Sequence, residues 1–479
     1  MNFHRAATLL ALFAILPGAA GDGDLAARIA GRLAAASPGT RFGLVVADAD
    51  QRDIVAILPD QRFIPASNTK IFTTAAAFAT LTGLDEPDTT GGASVRLEGR
   101  DVVLAGHGDA RLSSADDCAV DCLATLADAV AARARIVGDV IGDDSLFPDE
   151  RWSPGMSWNN IPTRSGTGIS ALTLDDNELA VTVIPGAAGT APTVAAPAYY
   201  TIDNRLTTTA TGKSALGFDR APNAYAVRLT GIVAAGDGPV RLRMGIDDPA
   251  RYAAWRLAAM LRARGVRVTG AIGVRHRPPT AADDPATRGS APVARPKRAI
   301  ALATLTPPPI AADIVTINKV SQNLHAELLL RRIGLAAGSG SIADGLVAIR
   351  GMLAQAGVPA AGVDLSDGSG MSSYNRVSPR AMVTLLGWIA RQPWGARWRA
   401  SLPVGGVDGA IGRAFRGTAL DGRLFAKTGT LNATNALAGY MVAKSGRTLT
   451  FALYANDVPG DAGATQTMYA ALLAVAEGS

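Results

Sequence analysis

The chain has 479 residues, 48% hydrophobic and 18% charged, with 52 Gly and 27 Pro. That composition excludes an intrinsically disordered chain, and two cysteines are too few for a disulfide scaffold. The 46 Lys+Arg stand against 41 Asp+Glu with no dense basic run, so a nucleic-acid partner is not expected.

In chain order, Met1 to about Gly21 has the pattern of a secretory signal. A short polar start (His4, Arg5) precedes the apolar stretch Ala6 to Leu16, and Gly18-Ala19-Ala20 offers small residues for cleavage after Ala20. The stretch is shorter than the roughly 20 apolar residues of a membrane span. No later segment qualifies as a span either, and the apolar run Met468 to Ala476 reads as a packed helix. The expectation is an exported protein of the periplasm or the outer cell-wall face.

Arg28 to Asp50 passes from a helical pattern into the strand-like RFGLVVADAD, and an apolar helix is expected from Ser67 to about Leu81. From about Gly91 the texture becomes short β-like runs (ASVRLEG, DVVLAG, LAVTVIPG, AYAVRLTGIV), with helical patterns at Cys118 to Arg135 and Ala250 to Arg264. Cys118 and Cys122 fall where the first of these helices is expected to start, so a bridge between them requires a distorted first turn. No second Cys or His pair lies nearby to complete a metal site. His276 to Pro309 holds eight prolines and no periodicity, and reads as a linker.

Beyond it, helices are expected at Ala311 to Ile333, Ile342 to Ala356 and Pro379 to Arg391. Strands follow at Gly422 to Thr428, Ala436 to Ala443 and Thr448 to Asn456, then a last helix. The simplest organisation is an α/β domain split in sequence by a long β-rich insert.

Several chemistries are missing. There is no HExxH, no GxSxG elbow and no P-loop, since GSGSIADG lacks both the spacing and the lysine. His107, His276 and His325 lie beside no nucleophile in sequence and are expected to be surface or capping residues.

The lysines are more informative, because only six of the cations are lysines: Lys70, Lys213, Lys297, Lys319, Lys427 and Lys444. Ser67-Asn68-Thr69-Lys70 is the only place where a serine precedes a lysine by three. On a helix that spacing shares a face, and a buried lysine with a lowered pKa can take a hydroxyl proton, which arginine cannot. Lys427-Thr428-Gly429-Thr430 ends an apparent strand, where a cation and hydroxyls can hold a carboxylate and the glycine permits close backbone approach. Lys444-Ser445-Gly446 is spelled similarly but falls between two strand patterns and reads as a hairpin turn. Ser-x-Asn occurs three times, at Ser157, Ser321 and Ser373. Context favours Ser321-Gln322-Asn323, where a turn between helices would aim both side chains into one cleft.

With those boxes in that order the sequence resembles the serine penicillin-recognising enzymes. PASNTKIFTTAAA, GDDSLF, SALTLDDNELAVTVIPG, NKVSQNLHAELLLRRIG, DGSGMSSYNRVSP and SLPVGGVDGAIGRAF…AKTGTL resemble the D-alanyl-D-alanine carboxypeptidase/endopeptidase family, the type-4 penicillin-binding proteins, from about Phe42 to Asp457. The resemblance implies a β-lactamase/transpeptidase-like α/β (α+β) domain with an antiparallel sheet and helices, formed by 21–88 and 297–479 after a signal peptide 1–20. Two smaller β-rich domains would interrupt it over 89–296.

It also implies acyl transfer. Ser67 would attack the carbonyl of the penultimate D-Ala with Lys70 as base. Ser321 would relay the proton with help from Lys427, and Asn323 would bind the substrate backbone. Lys427, Thr428, Gly429 and Thr430 would hold the terminal carboxylate, and the N–H groups of Ser67 and Thr430 would form the oxyanion hole. Asp143 or Asp144, with Arg376, are candidates for the diamino-acid side chain of the substrate. Partners would be peptidoglycan peptides ending in D-Ala-D-Ala or carrying D-Ala cross-links, with β-lactams as covalent inhibitors. No metal or organic cofactor is required.

Two other readings compete. A serine β-lactamase needs a deacylation base, such as Glu-x-x-Leu-Asn soon after the third box, and none follows. A non-catalytic wall-binding protein has no use for both a nucleophile and its base.

Overall fold

A computed structural model describes residues 20–36, 38–293, 299–460 and 463–479. The expected signal segment before residue 20 and the expected restart of the split domain at residue 297 lie outside the described residues. Among the described residues no helix is long and apolar enough to cross a membrane.

One body is built on a five-stranded antiparallel sheet. Its strands are β1 (Arg41–Ala47), β2 (Asp53–Ile57), β3 (Leu424–Leu431), β4 (Thr434–Val442) and β5 (Thr448–Asn456), in the order β3-β4-β5-β1-β2. β1 and β5 are buried along almost their whole length because helices cover both faces. Alternation sorts the side chains. Leu44 and Val46 pack with α1 (Ala20–Ala34) and the C-terminal α8 (Ala464–Gly478), whereas Val45 and Ala47 join the helical core on the other face.

That second face carries α2 (Thr69–Thr80), α3 (Ile310–Lys319), α4 (Asn323–Ala337), α5 (Ile342–Gln355), α6 (Pro379–Ala390) and α7 (Gly395–Ala400). Every residue of α2 from Thr69 to Ala77 is buried, as its nearly uncharged sequence requires. Register runs Lys427 opposite Ala438, then Ala452, then Val45, so Lys427 projects toward the helices.

The insert between α2 and α3 has its own five-stranded mixed sheet. The order is Ile272–Arg277, Val140–Pro148, Asp101–Ala105, Ser94–Glu98, Ala303–Thr304. Helices Leu123–Arg133 and Pro249–Ala263 pack on it, and two three-stranded sheets, one containing Glu178–Ile184 and the other Ala226–Ala234, share its apolar cluster. All four of the short β-like runs are therefore strands.

Three expectations need correction. The first insert helix begins at Leu123, not Cys118; Cys118 and Cys122 are disulfide-bonded in the turn that leads into it, with Cα atoms 5.8 Å apart. Moving the pair out of the helix removes the conflict between bridge and first turn.

The proline-rich His276 to Pro309 is not a bare linker over its described residues. It holds a capped 3-10 turn (Ala281–Asp283), a short helix (Pro285–Arg288) and the edge strand Ala303–Thr304. Ion pairs Arg277–Asp283 and Arg288–Asp344 strap it down, the latter onto α5. Charged side chains supply the order that apolar periodicity could not reveal.

The histidines are not surface residues. His107 and His325 are buried, His325 between Asp176 of the insert and Asp313 of α3. His276 is largely buried between Asp144 and Asp248, and those two carboxylates raise its pKa to about 10.

Candidate active site

Ser67 lies in a single 3-10 turn, Ala66–Asn68, that leads into α2. The preceding Ala66 is fully buried at φ 47, a left-handed conformation that costs a non-glycine residue about 1–3 kcal/mol and is held here by surrounding contacts. Asn68 Nδ2 donates to the Lys427 carbonyl at 2.7 Å and ties this turn to the edge strand β3. Two glycines make the approach possible. A Cβ on Gly429 would lie 2.6 Å from the Pro65 carbonyl oxygen and 3.1 Å from the Ser67 nitrogen, and one on Gly370 (φ 88) would lie 1.9 Å from the Ala66 oxygen.

One turn after Ser67, the Lys70 ammonium donates to Ser67 Oγ at 3.0 Å, Asn323 Oδ1 at 2.6 Å and the Ser369 carbonyl at 2.6 Å. These acceptors match the three N–H bonds of a lysine ammonium. Burial lowers its pKa to about 7, against the opposing charges of Asp367 and Glu327. That value leaves a large neutral fraction near neutrality, as a general base requires.

Ser321 occupies the break between α3 and α4 at φ 65, and Gln322 caps α4 through Leu324 N–H. This reversed residue lets Ser321 and Asn323 reach the cleft together. Lys427 Nζ donates to Ser321 Oγ at 2.8 Å and to the Thr428 carbonyl at 3.0 Å. Lys427 is fully buried, and burial, followed by the nearby charge of Lys70, holds its pKa well below the usual lysine range. Gly429 shares its face of β3, while Thr428 and Thr430 alternate with them, half-buried and exposed. β3 is an edge strand whose outer row is bonded at Leu424 and Ala426 to Gly405 and Pro403, which leaves only its far end, Thr428 to Leu431, toward an extended chain.

Ser67, Lys70 and Asn323 thus form one hydrogen-bonded group and Ser321 with Lys427 a second, brought side by side from three separate parts of the chain, close enough for the two lysines to act on each other electrostatically. Neither of the other Ser-x-Asn copies bonds to Lys70 or Lys427. Ser157 bonds Asn159 in an exposed loop, and Asn375 bonds Asp367 and the Ser366 N–H. Lys444 lies in the β4–β5 turn.

Asp143, Asp144 and Arg376 make no bond to either group. Asp143 pairs with Arg96 and Ser145, Asp144 with Ser170 and His276, and Arg376 donates to the carbonyls of Ser373 and Asn375. The insert reaches the site elsewhere: Asn323 Nδ2 donates to the Ser165 carbonyl at 3.0 Å, and Ser372 Oγ to the Pro154 carbonyl at 2.6 Å.

Two carboxylates beside the site were missed by sequence reasoning. Glu327, buried, accepts the N–H groups of Gly368 and Ser369 at 3.0 and 2.8 Å, and so holds the carbonyl that in turn holds Lys70. Burial, then the charge of Asp367, raises its pKa to about 7. Asp367 organises the next turn by accepting from Gly370 and Ser372 N–H. Glu327 was within reach of a sequence argument, because it follows Asn323 by four and shares its helix face. Asp367 had no such signal.

Residues 25–477 match the model of the D-Ala-D-Ala carboxypeptidase 3 (S13) family. The chain is 34% identical over 447 residues to a D-alanyl-D-alanine carboxypeptidase of Actinomadura sp. (strain R39), covering 88% of this chain and 79% of the relative. It is 24% identical over 435 residues to D-alanyl-D-alanine carboxypeptidase DacB of Haemophilus influenzae, covering 87% and 86%. The crystal structure of penicillin binding protein 4 from Haemophilus influenzae shares the fold, with TM-score 0.75 at 20% identity over 94% of this chain and 97% of that one. Its complex with a β-lactam superposes with TM-score 0.71 over 93% and 98% of the two chains.

Proposed function

The chain belongs to the D-Ala-D-Ala carboxypeptidase 3 (S13) family, a serine-type hydrolase, and on that premise we propose that it cleaves D-Ala bonds in peptidoglycan peptides through an acyl-enzyme on Ser67. The observation that carries this reading is the Lys70–Ser67 contact at 3.0 Å inside a buried site.

Lys70 takes the Ser67 proton as Oγ attacks the carbonyl of the penultimate D-Ala. The C–N bond to the leaving D-Ala breaks, and Ser321, bonded to Lys427, passes a proton to the departing amine. Lys427 has no carboxylate partner among the described residues, so a substrate carboxylate placed against it and Thr428 and Thr430 supplies the missing counter-charge. The N–H groups of Ser67 and Thr430 receive the oxyanion, where a single donor is typically worth about 10²–10³ in rate. Water then attacks the ester and regenerates Ser67. A β-lactam enters the same path because its ring amide occupies the place of the scissile bond.

The body outside the insert, resuming with α3, carries this chemistry, and the insert between α2 and α3 shapes the cleft through its Pro154 and Ser165 carbonyls. The diamino-acid side chain would be recognised by Asp143, Asp144 or Arg376, which keep hydrogen-bonding capacity beyond their present partners. Export to the periplasm is supported by the signal pattern and by the Cys118–Cys122 bridge, which persists in oxidising compartments.

Intact-mass measurement after penicillin treatment tests the acyl-enzyme. Wild type gains one penicilloyl group and Ser67→Ala gains none; an adduct on the variant removes the nucleophile assignment. Mass spectrometry of products from cross-linked peptidoglycan separates D-Ala release from cleavage of cross-links.

A further inference from the structure

The face of the sheet that holds Lys427 has a second opening one rung away. Phe425, two residues before Lys427, pairs with Tyr440, which pairs with Thr450. Over these residues α6 and α7 stand off the sheet and leave a cavity of about 400 Å³. The helices present Ala390, Ala396 and Ala400 to the gap, and the Gln51 side-chain amide lies against Gly387 at its edge. Volumes of about 300–1,000 Å³ with apolar walls and a few polar groups are typical of small-molecule sites.

The charge in this cavity is one-sided. Arg399 lies over its floor, with the guanidinium carbon 4.1 Å from the Phe425 ring centroid and 5.3 Å from that of Tyr440. Arg391 stands at the exposed rim. No Asp or Glu lines the cavity, and among the described residues no carboxylate pairs with Arg399. Asp48 and Asp50, which flank Ala49 at its edge, are engaged elsewhere: Asp48 accepts N–H groups within its own turn and Asp50 faces Arg52.

Arg399 is partly exposed, and its charge is met by the faces of Phe425 and Tyr440 rather than by a carboxylate among the described residues, so its N–H fork can still take an anion. Burial pulls the pKa of Arg399 down, with only Tyr440 opposing. The Tyr440 hydroxyl donates to the Leu386 carbonyl, so the ring offers its face and not a hydrogen bond.

We infer that this cavity is a binding site for a small organic carboxylate with a flat apolar body, separate from the acyl-transfer centre. The carboxylate pairs with the Arg399 fork, and the body packs between the Phe425 and Tyr440 rings and the alanine wall. A phosphate dianion fits less well, because a single half-buried guanidinium leaves most of its acceptors unmet.

Ligand-observed NMR with 4-methylbenzoate as probe, with and without prior treatment by benzylpenicillin, tests this. The probe should bind in both conditions. Its neutral match 4-methylbenzamide should bind at least about tenfold more weakly, and Arg399→Gln should weaken the benzoate by a similar factor. Ala396→Leu fills the cavity while keeping Arg399, and should abolish binding. Penicillin labelling at the wild-type level shows that both variants are folded. Equal binding of the amide, an unaffected Arg399→Gln, displacement by benzylpenicillin, or full competition by inorganic phosphate would each overturn the proposal.

Discussion

Lys70 Nζ lies 3.0 Å from Ser67 Oγ on the same helical face, and the Asn323 amide oxygen, from a distant part of the chain, holds it there at 2.6 Å. The pair is therefore set by local spacing and fixed by a long-range contact. A base works only when unprotonated, and burial brings Lys70 to about 7. Acylation by a penicillin should accordingly rise with pH through a midpoint near 7 and level off above it, as read by quenched-flow labelling. A rate that stays flat across that range removes Lys70 as the titrating base. Lys70→Arg keeps a permanent cation in place and should lose about 10²–10⁴ in acylation rate.

Glu327→Gln separates charge from geometry. Glutamine keeps an acceptor for Gly368 and Ser369 N–H but removes a charge that raises the pKa of Lys70. The midpoint of the acylation profile should move to lower pH. Stability gives a second readout. The folded pKa of about 7 lies above the ordinary glutamate value of 4.5, so between those values the native state holds a proton that the unfolded chain releases. Wild type should lose stability as pH rises through that window, and Glu327→Gln should not. An unmoved midpoint would show that Glu327 is only a packing residue.

Gly429→Ala places a methyl 2.6 Å from a backbone oxygen that cannot yield without moving the Ser67 turn. Acylation should fall about 10²-fold, the scale of a misplacement near 1 Å. Gly351→Ala in α5, where nothing lies within 4 Å, is the control and should acylate normally. Equal rates for the two variants would discount the close approach as a requirement.

His325 links the insert to the body two residues beyond Asn323. Burial disfavours its charge, but the hydrogen bond to Asp176 and the Asp313 carboxylate 3.2 Å from Nδ1 outweigh that and raise its pKa to about 9. A raised histidine contributes its full stability below the ordinary histidine value of 6.5 and loses it as pH climbs through about 9. Thermal melts should show this decline in wild type and not in His325→Gln. Parallel curves for the two proteins would deny the link.

Much of the site was readable because its chemistry is written in short spacings. Ser67 with Lys70, and Lys427 with Gly429, are each set by one helix turn or one strand repeat, and those periods hold wherever the element folds. The disulfide and the histidines were less readable. Whether Cys118 and Cys122 can bridge depends on where a helix starts. Whether His325 is buried depends on Asp176 and Asp313, which no local pattern brings to it.

Ser-x-Asn shows where the boundary falls. Three copies read alike in sequence, and only the fold bonds Ser321 to Lys427 and Asn323 to Lys70, while the other two bond neither lysine. The sequence by itself determined which residue types could act and, through an Arg-rich composition, that its few lysines were worth weighing. Tertiary structure alone decided which lysine is buried, which carboxylates oppose that burial, and therefore where a proton can leave. Burial and charge proximity depend on contacts between segments hundreds of residues apart, and the free energy of an ionised group follows those contacts rather than its neighbours in sequence.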